Sequence, residues 1–268
     1  MEFRTKVDIE KAPWSIDIGE RLLFVGSCFA DNIGSRFREE QFDATVNPFG
    51  VMYNPISVLH TVERLHQAGE HFDAAFLTFG TNHIYILKET GKVVDNCQKR
   101  PQRLFEERAL SVEECREAIE KTIGLLREMN PEVKVVLTVS PIRYAKYGFH
   151  GSQLSKATLL LAVGEIAAKL QVQTTTYFPS YEIVLDELRD YRFYKEDMLH
   201  PSAQAIEYIW QRMTETLLSE RALRYLEEYR PIKQALAHRP FDAESDEYKE
   251  FKRRTMEQWE DLKRKYKI

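Results

Sequence analysis

Short runs built for strands alternate along this chain with longer stretches of helical spacing, and few folds accommodate that alternation. Leu22-Leu23-Phe24-Val25-Gly26 is continuous and apolar, as a strand covered on both faces must be. From Phe29 to Glu40, the residues Phe29, Ile33 and Phe37 recur at helical spacing, so the segment reads strand, tight turn, helix. Ala74 to Phe79 is a second strand of this kind, Val133 to Val139 a third, and Val172 to Phe178 a β-rich fourth. Val112 to Met129 and Ser155 to Leu170 are the helices between them. Such alternation makes an α/β fold, a mainly parallel sheet with helices on both faces. Asp43 to Pro55, with Asn47-Pro48-Phe49-Gly50 and Asn54-Pro55, reads as an ordered loop, because proline fixes φ and biases its predecessor away from helix.

From Ser202 to Leu226 the pattern is helical, with Ile206, Ile209, Trp210, Met213 and Leu217 on one face. Pro231 to Pro240 reads as a proline-bounded connection. Glu244 to Lys267 is highly charged, yet Tyr248, Phe251, Trp259, Leu262 and Tyr266 share one side of a helix. That face packs on its own domain or joins two copies as a homodimer. With no internal repeat and no low-complexity linker, the simplest division is one domain, 1–228, and a helical C-terminal extension, 229–268.

Apolar residues at 43% and charged residues at 30% suit a folded globular chain. A net charge of −4 offers no broad attraction for phosphate backbones or anionic lipid, so neither nucleic acid nor membrane is the expected partner. Cys28, Cys97 and Cys115 are an odd set without close pairing, which fits a reducing compartment better than a zinc ribbon or a disulfide scaffold. Charges interrupt Met1 to Ile18, and no stretch approaches the roughly 20 apolar residues of a membrane span. The expected location is cytoplasmic.

Ser27 stands in the turn after the first strand, at the carboxyl edge where open α/β sheets place their ligands. Backbone N–H groups at the following helix start, that of Ser27 included, can hold an oxyanion while the hydroxyl attacks a carbonyl. The bland alternative is a serine that only caps the helix. Cys28 is a rival nucleophile or a buried, inert thiol. In Asp197-Met198-Leu199-His200-Pro201 a carboxylate precedes a histidine by three residues. A serine hydroxyl needs a base, and an aspartate fixes the tautomer of a histidine base. Gly80-Thr81-Asn82 ends the second strand on the same edge, where the Asn82 amide can donate to the oxyanion or merely form a turn. His83, Tyr85, Arg143 and Tyr144 are polar or aromatic candidates for the pocket wall.

Gly26-Ser27-Cys28-Phe29-Ala30 resembles the signature of the GSCFA family. So do Asn47 to Pro55, Phe79-Gly80-Thr81, Asn130-Pro131, Thr138-Val139-Ser140-Pro141, Leu154-Ser155-Lys156-Ala157-Thr158 and Tyr177 to Ser202. The likeness spans about residues 1–228. GSCFA proteins resemble SGNH or GDSL hydrolases, which implies a three-layer α/β/α, flavodoxin-like fold with a five-stranded parallel sheet. By that resemblance Ser27 is the nucleophile, Asp197 and His200 complete the triad, and Asn82 and Gly50 join Ser27 as oxyanion donors. The stretch between Pro55 and Ala74 is shorter than in relatives that carry an insertion there.

The expected activity is a serine esterase or deacylase acting on a small-molecule or carbohydrate ester through an acyl-Ser27 intermediate, without metal or organic cofactor. A carbohydrate O-acyltransferase differs only in the acceptor of the acyl group. A non-catalytic binding or scaffold protein is the alternative of a different class.

Overall fold

The computed structural model describes residues 4–98, 100–170 and 174–268. Strand β1 (Leu22–Gly26) is buried throughout and leads directly into α1 (Cys28–Glu39). Strand β2 (Ala44–Val46) and α2 (Pro55–Gln67) follow, then β3 (Ala74–Phe79). Between β3 and α3 (Val112–Met129) the chain inserts β4 (His83–Leu87), β5 (Lys92–Val94) and β6 (Phe105–Ala109). Strand β7 (Lys134–Val139), α4 (Gly148–Leu170) and β8 (Thr175–Tyr177) complete the alternation. A single helical turn α5 (Ser180–Glu182), then α6 (Ala203–Leu217), α7 (Glu220–Leu236) and α8 (Asp246–Tyr266) close the chain.

The main sheet has the order β2-β1-β3-β7-β8, and every pairing in it is parallel. Each face carries its own core. On one, Phe24 and Phe76 stack at 4.3 Å and meet Phe37 of α1 and, through it, Trp210 of α6. On the other, Leu23, Val25 and Leu77 pack against α2, α3 and α4 through Val58, Ile119 and Leu159. Alternate residues of one strand thus serve opposite layers, which is why the strands read as continuous apolar runs. The expected α/β/α architecture and five-stranded parallel sheet are present.

Several local expectations change. The stretch expected to be a loop at Asp43 to Pro55 contains β2, whose three residues are too few to leave a pattern. The antiparallel sheet β5-β4-β6 is an unforeseen insertion at the carboxyl end of β3. The helical pattern of Ser202 to Leu226 is two helices, because Ser219 caps a new one by accepting from the Ala222 amide. Pro231 lies inside α7 rather than ending it. Proline removes one helical hydrogen bond, and the helix continues past it because Tyr229 and Ile232 are buried. Helix α7 consequently runs across the expected boundary at 228/229. Of the fourth strand, Val172 and Gln173 lie outside the described residues.

Helix α8 packs on its own chain, with Tyr266 against Tyr225 and Trp259 against Tyr229. The amino-terminal segment is a strap on the same layer. The Val7 N–H donates to the Glu187 carboxylate, Ile16 bridges Leu218, and Asp17 pairs with Arg221 at 3.0 Å. No helix among the described residues is long and apolar enough to cross a membrane.

Candidate active site

Three parallel strands end side by side. Because β3 lies between β1 and β7, the residues following those two strands face each other across its tip. Gly26 has φ +148°, and a side chain there would collide with the Thr78 carbonyl, so glycine is what lets β1 end tight against β3. Ser27, fully buried, follows as the N-cap of α1 and accepts from the Phe29 amide. Its hydroxyl also donates to Ser140 Oγ at 3.0 Å, over the end of β3. Ser27 is therefore a cap, with a second bond that capping does not need.

Ser140 is held in turn by Lys156. The Lys156 amine is fully buried in α4 and donates to the carbonyls of Gly80, at 2.5 Å, and Ser140, at 2.7 Å. Burial without a carboxylate partner drives its pKa well below the usual lysine range.

Three residues beyond Ser140, Arg143 reaches the other half of the site. Its amide donates to the Leu199 carbonyl and its guanidinium to the Met198 carbonyl at 2.9 Å. Met198 takes φ +57°, a left-handed turn that folds the loop back on Asp197. Asp197 Oδ1 accepts from the amides of Leu199 and His200, and Oδ2 lies 2.6 Å from His200 Nδ1. The His200 and Leu199 amides, followed by the imidazole, lower the Asp197 pKa to about 2. A ring that donates its Nδ1–H to this carboxylate in a hydrogen bond keeps Nε2 free as a base.

The expected oxyanion donors are otherwise engaged. The Gly50 amide donates to the Asn47 carbonyl in a turn where Gly50 takes φ +93°. One N–H of the Asn82 side chain donates to the Leu110 carbonyl at 2.6 Å, joining the two ends of the insertion. The Ser27 amide is within 3.4 Å of the Thr78 carbonyl. The Cys28 amide, first in α1, has no intrahelical acceptor available.

The expected pocket residues separate into two places. His83 stacks on Tyr147 at 3.8 Å, and Tyr85 bonds Lys146, which is also 2.7 Å from Glu107. This cluster docks the insertion on the segment after β7, and burial lowers the His83 pKa. Arg143 instead lines a cavity of about 400 Å³ with Lys156, Phe149, Tyr181, Tyr191 and Tyr194. Cys28 Sγ sits 3.8 Å from the Tyr53 hydroxyl. Ser140 and Lys156 were missed as site residues. Both stand in blocks that carried the family resemblance, which was the available signal.

The GSCFA family profile matches residues 21–73 and 60–213. The chain belongs to the GSCFA family. A second profile, the C-terminal domain of GSCFA domain proteins, matches residues 230–268. No curated protein matches the sequence. Among solved structures, a carbohydrate esterase family 3 protein from Talaromyces cellulolyticus is similar at 9% identity and a TM-score of 0.47, over 77% of this chain and 98% of that one. An Axe2 mutant, an acetyl-xylooligosaccharide esterase from Geobacillus, is similar at 13% identity and a TM-score of 0.46, over 75% and 95%. Among the described residues, no cluster of three or more His, Cys, Asp or Glu forms a metal site.

Proposed function

We propose that this GSCFA protein hydrolyses a carboxylic ester with Ser27 as nucleophile and His200, oriented by Asp197, as base. One observation carries the reading: a single loop, residues 140–143, binds the Ser27 hydroxyl at one end and the carbonyls just before His200 at the other. Ser27 Oγ attacks the ester carbonyl as its proton passes to His200 Nε2. The tetrahedral intermediate expels the alcohol, which takes that proton, and leaves acyl-Ser27. Water, deprotonated by the same nitrogen, then attacks the acyl carbonyl; the bond to Ser27 Oγ breaks, the acid leaves and the proton returns to Ser27 Oγ. Attack requires the Ser27 hydroxyl to leave Ser140, and because Ser27 is fully buried, the cover over β3 must open for the ester.

The test compares wild type, Ser27→Ala and His200→Ala, each shown folded, for fluorophosphonate labelling and 4-nitrophenyl acetate hydrolysis. Labelling lost in Ser27→Ala and hydrolysis reduced at least about 10⁴-fold in both variants is the expected result. A Ser27→Ala protein that hydrolyses like wild type overturns the reading. Adding a sugar acceptor separates hydrolysis from acyl transfer by where the acyl group appears.

A further inference from the structure

A developing oxyanion needs donors that no protein group already occupies, and the Ser27 and Gly50 amides and one N–H of the Asn82 side chain already have acceptors. One hydroxyl above the β3 tip has none. The Tyr144 hydroxyl oxygen is buried and without a hydrogen-bond partner among the described residues, although tyrosine hydroxyls in such surroundings normally find one. Its position is fixed from three directions. It lies directly over Gly80, the residue after β3, where any side chain would strike it. Its ring stands perpendicular to that of Tyr53 at 6.2 Å, and Tyr53 in turn meets the Cys28 thiol beside Ser27. Lys156 Nζ is 4.9 Å from the ring centroid and holds the carbonyls of Gly80 and Ser140.

We propose that Tyr144 is a catalytic residue, its hydroxyl donating a hydrogen bond to the ester carbonyl oxygen as negative charge develops there. The inference rests on the reading of Ser27 as nucleophile. Gly80, in this account, is glycine to leave room for that hydroxyl. Burial raises the Tyr144 pKa, so the group stays protonated and able to donate. No proton is transferred to or from Tyr144, and the bond dissolves when the carbonyl re-forms.

Tyr144→Phe removes one oxygen and keeps the ring. The experiment measures 4-nitrophenyl acetate kinetics, fluorophosphonate labelling rate and thermal unfolding for wild type, Ser27→Ala, Tyr144→Phe, Gly80→Ala and the Gly80→Ala/Tyr144→Phe pair. In Tyr144→Phe, kcat is expected to fall about 10²- to 10³-fold with little change in KM, and labelling to slow in parallel. The melting temperature should hold or rise, since an unpartnered buried hydroxyl contributes nothing to the fold. Gly80→Ala, which displaces the hydroxyl, should cost activity in wild type and far less in the Tyr144→Phe background. Tyr144→Phe within about threefold of wild type, with Ser27→Ala inactive, overturns the tyrosine assignment and leaves the serine reading standing. Wild type that neither labels nor hydrolyses, or an active Ser27→Ala, overturns the serine reading and this inference with it.

Discussion

The Lys156 amine is fully buried without a carboxylate partner, and that loss of hydration favours its neutral form despite the two carbonyls it donates to. The unfolded chain, by contrast, holds this lysine protonated up to its ordinary pKa of about 10.4. Folding then releases a proton. A depressed lysine costs stability while the unfolded amine is charged, and the cost shrinks as pH rises from the folded value towards the unfolded one. In that window wild type should gain on Lys156→Met by up to about 1.4 kcal/mol per pH unit. Urea unfolding of both proteins from pH 6 to 10 checks this, and a constant gap would mean that the amine stays charged when buried. The residues proposed to carry the chemistry stood out in the sequence: Ser27 sits at a strand-helix turn, and Asp197 and His200 lie three apart. Their supports were not. Ser140, Lys156 and the unpartnered Tyr144 hydroxyl become meaningful only when β7 and α4 are laid beside β3, a relation that local spacing does not encode.

At the scale of elements, a carboxylate fastens the amino-terminal strap to α6. Glu187 is buried against Arg212 at 2.6 Å and accepts from the Val7 amide and the Tyr208 hydroxyl. Its burial opposes ionisation, but the Tyr208 and Val7 bonds and the Arg212 charge prevail and lower its pKa. The stabilisation is full above the unfolded glutamate value of about 4.3 and is lost as pH falls through the lower folded value. Glu187→Gln strands the Arg212 charge and should cost about 3 kcal/mol at pH 7. The difference from wild type should narrow below pH 4 in denaturant titrations. A gap independent of pH would assign the cost to packing. Strands such as β1 and β3 announced themselves because both faces are buried, whereas β4 to β6 did not. In β6 the run Glu106-Glu107-Arg108 is exposed, and the sheet gains its place through a few scattered apolar side chains, Ile84, Ile86 and Val93, on the second core together with Lys146 on Glu107. Pro231 misled for the opposite reason, since Tyr229 and Ile232 anchor α7 on both sides of it.

Across the whole molecule, the two cores and the parallel order followed from the alternation of runs, while the way the ends of the chain meet did not. Ile16 pairs with Leu218, Asp17 with Arg221, and Val7 with Glu187, each contact joining segments that are far apart in sequence. During synthesis this has a cost in time. The amino terminus emerges first, yet the backbone it must pair with is made some 200 residues later, on the order of 10 to 40 s at ordinary elongation rates. Through that interval the Ile16 backbone lacks its native partners, the Leu217 carbonyl and the Ser219 amide. Nascent chains arrested before residue 217 has emerged should therefore be cut by protease within residues 4–18, and released full-length chains should resist, whereas equal resistance would mean that the strap docks early. The layer of helices that finishes this fold is thus also the surface that retrieves its beginning, and α1, with Ser27 at its cap, is sealed on that side only when the last helices arrive.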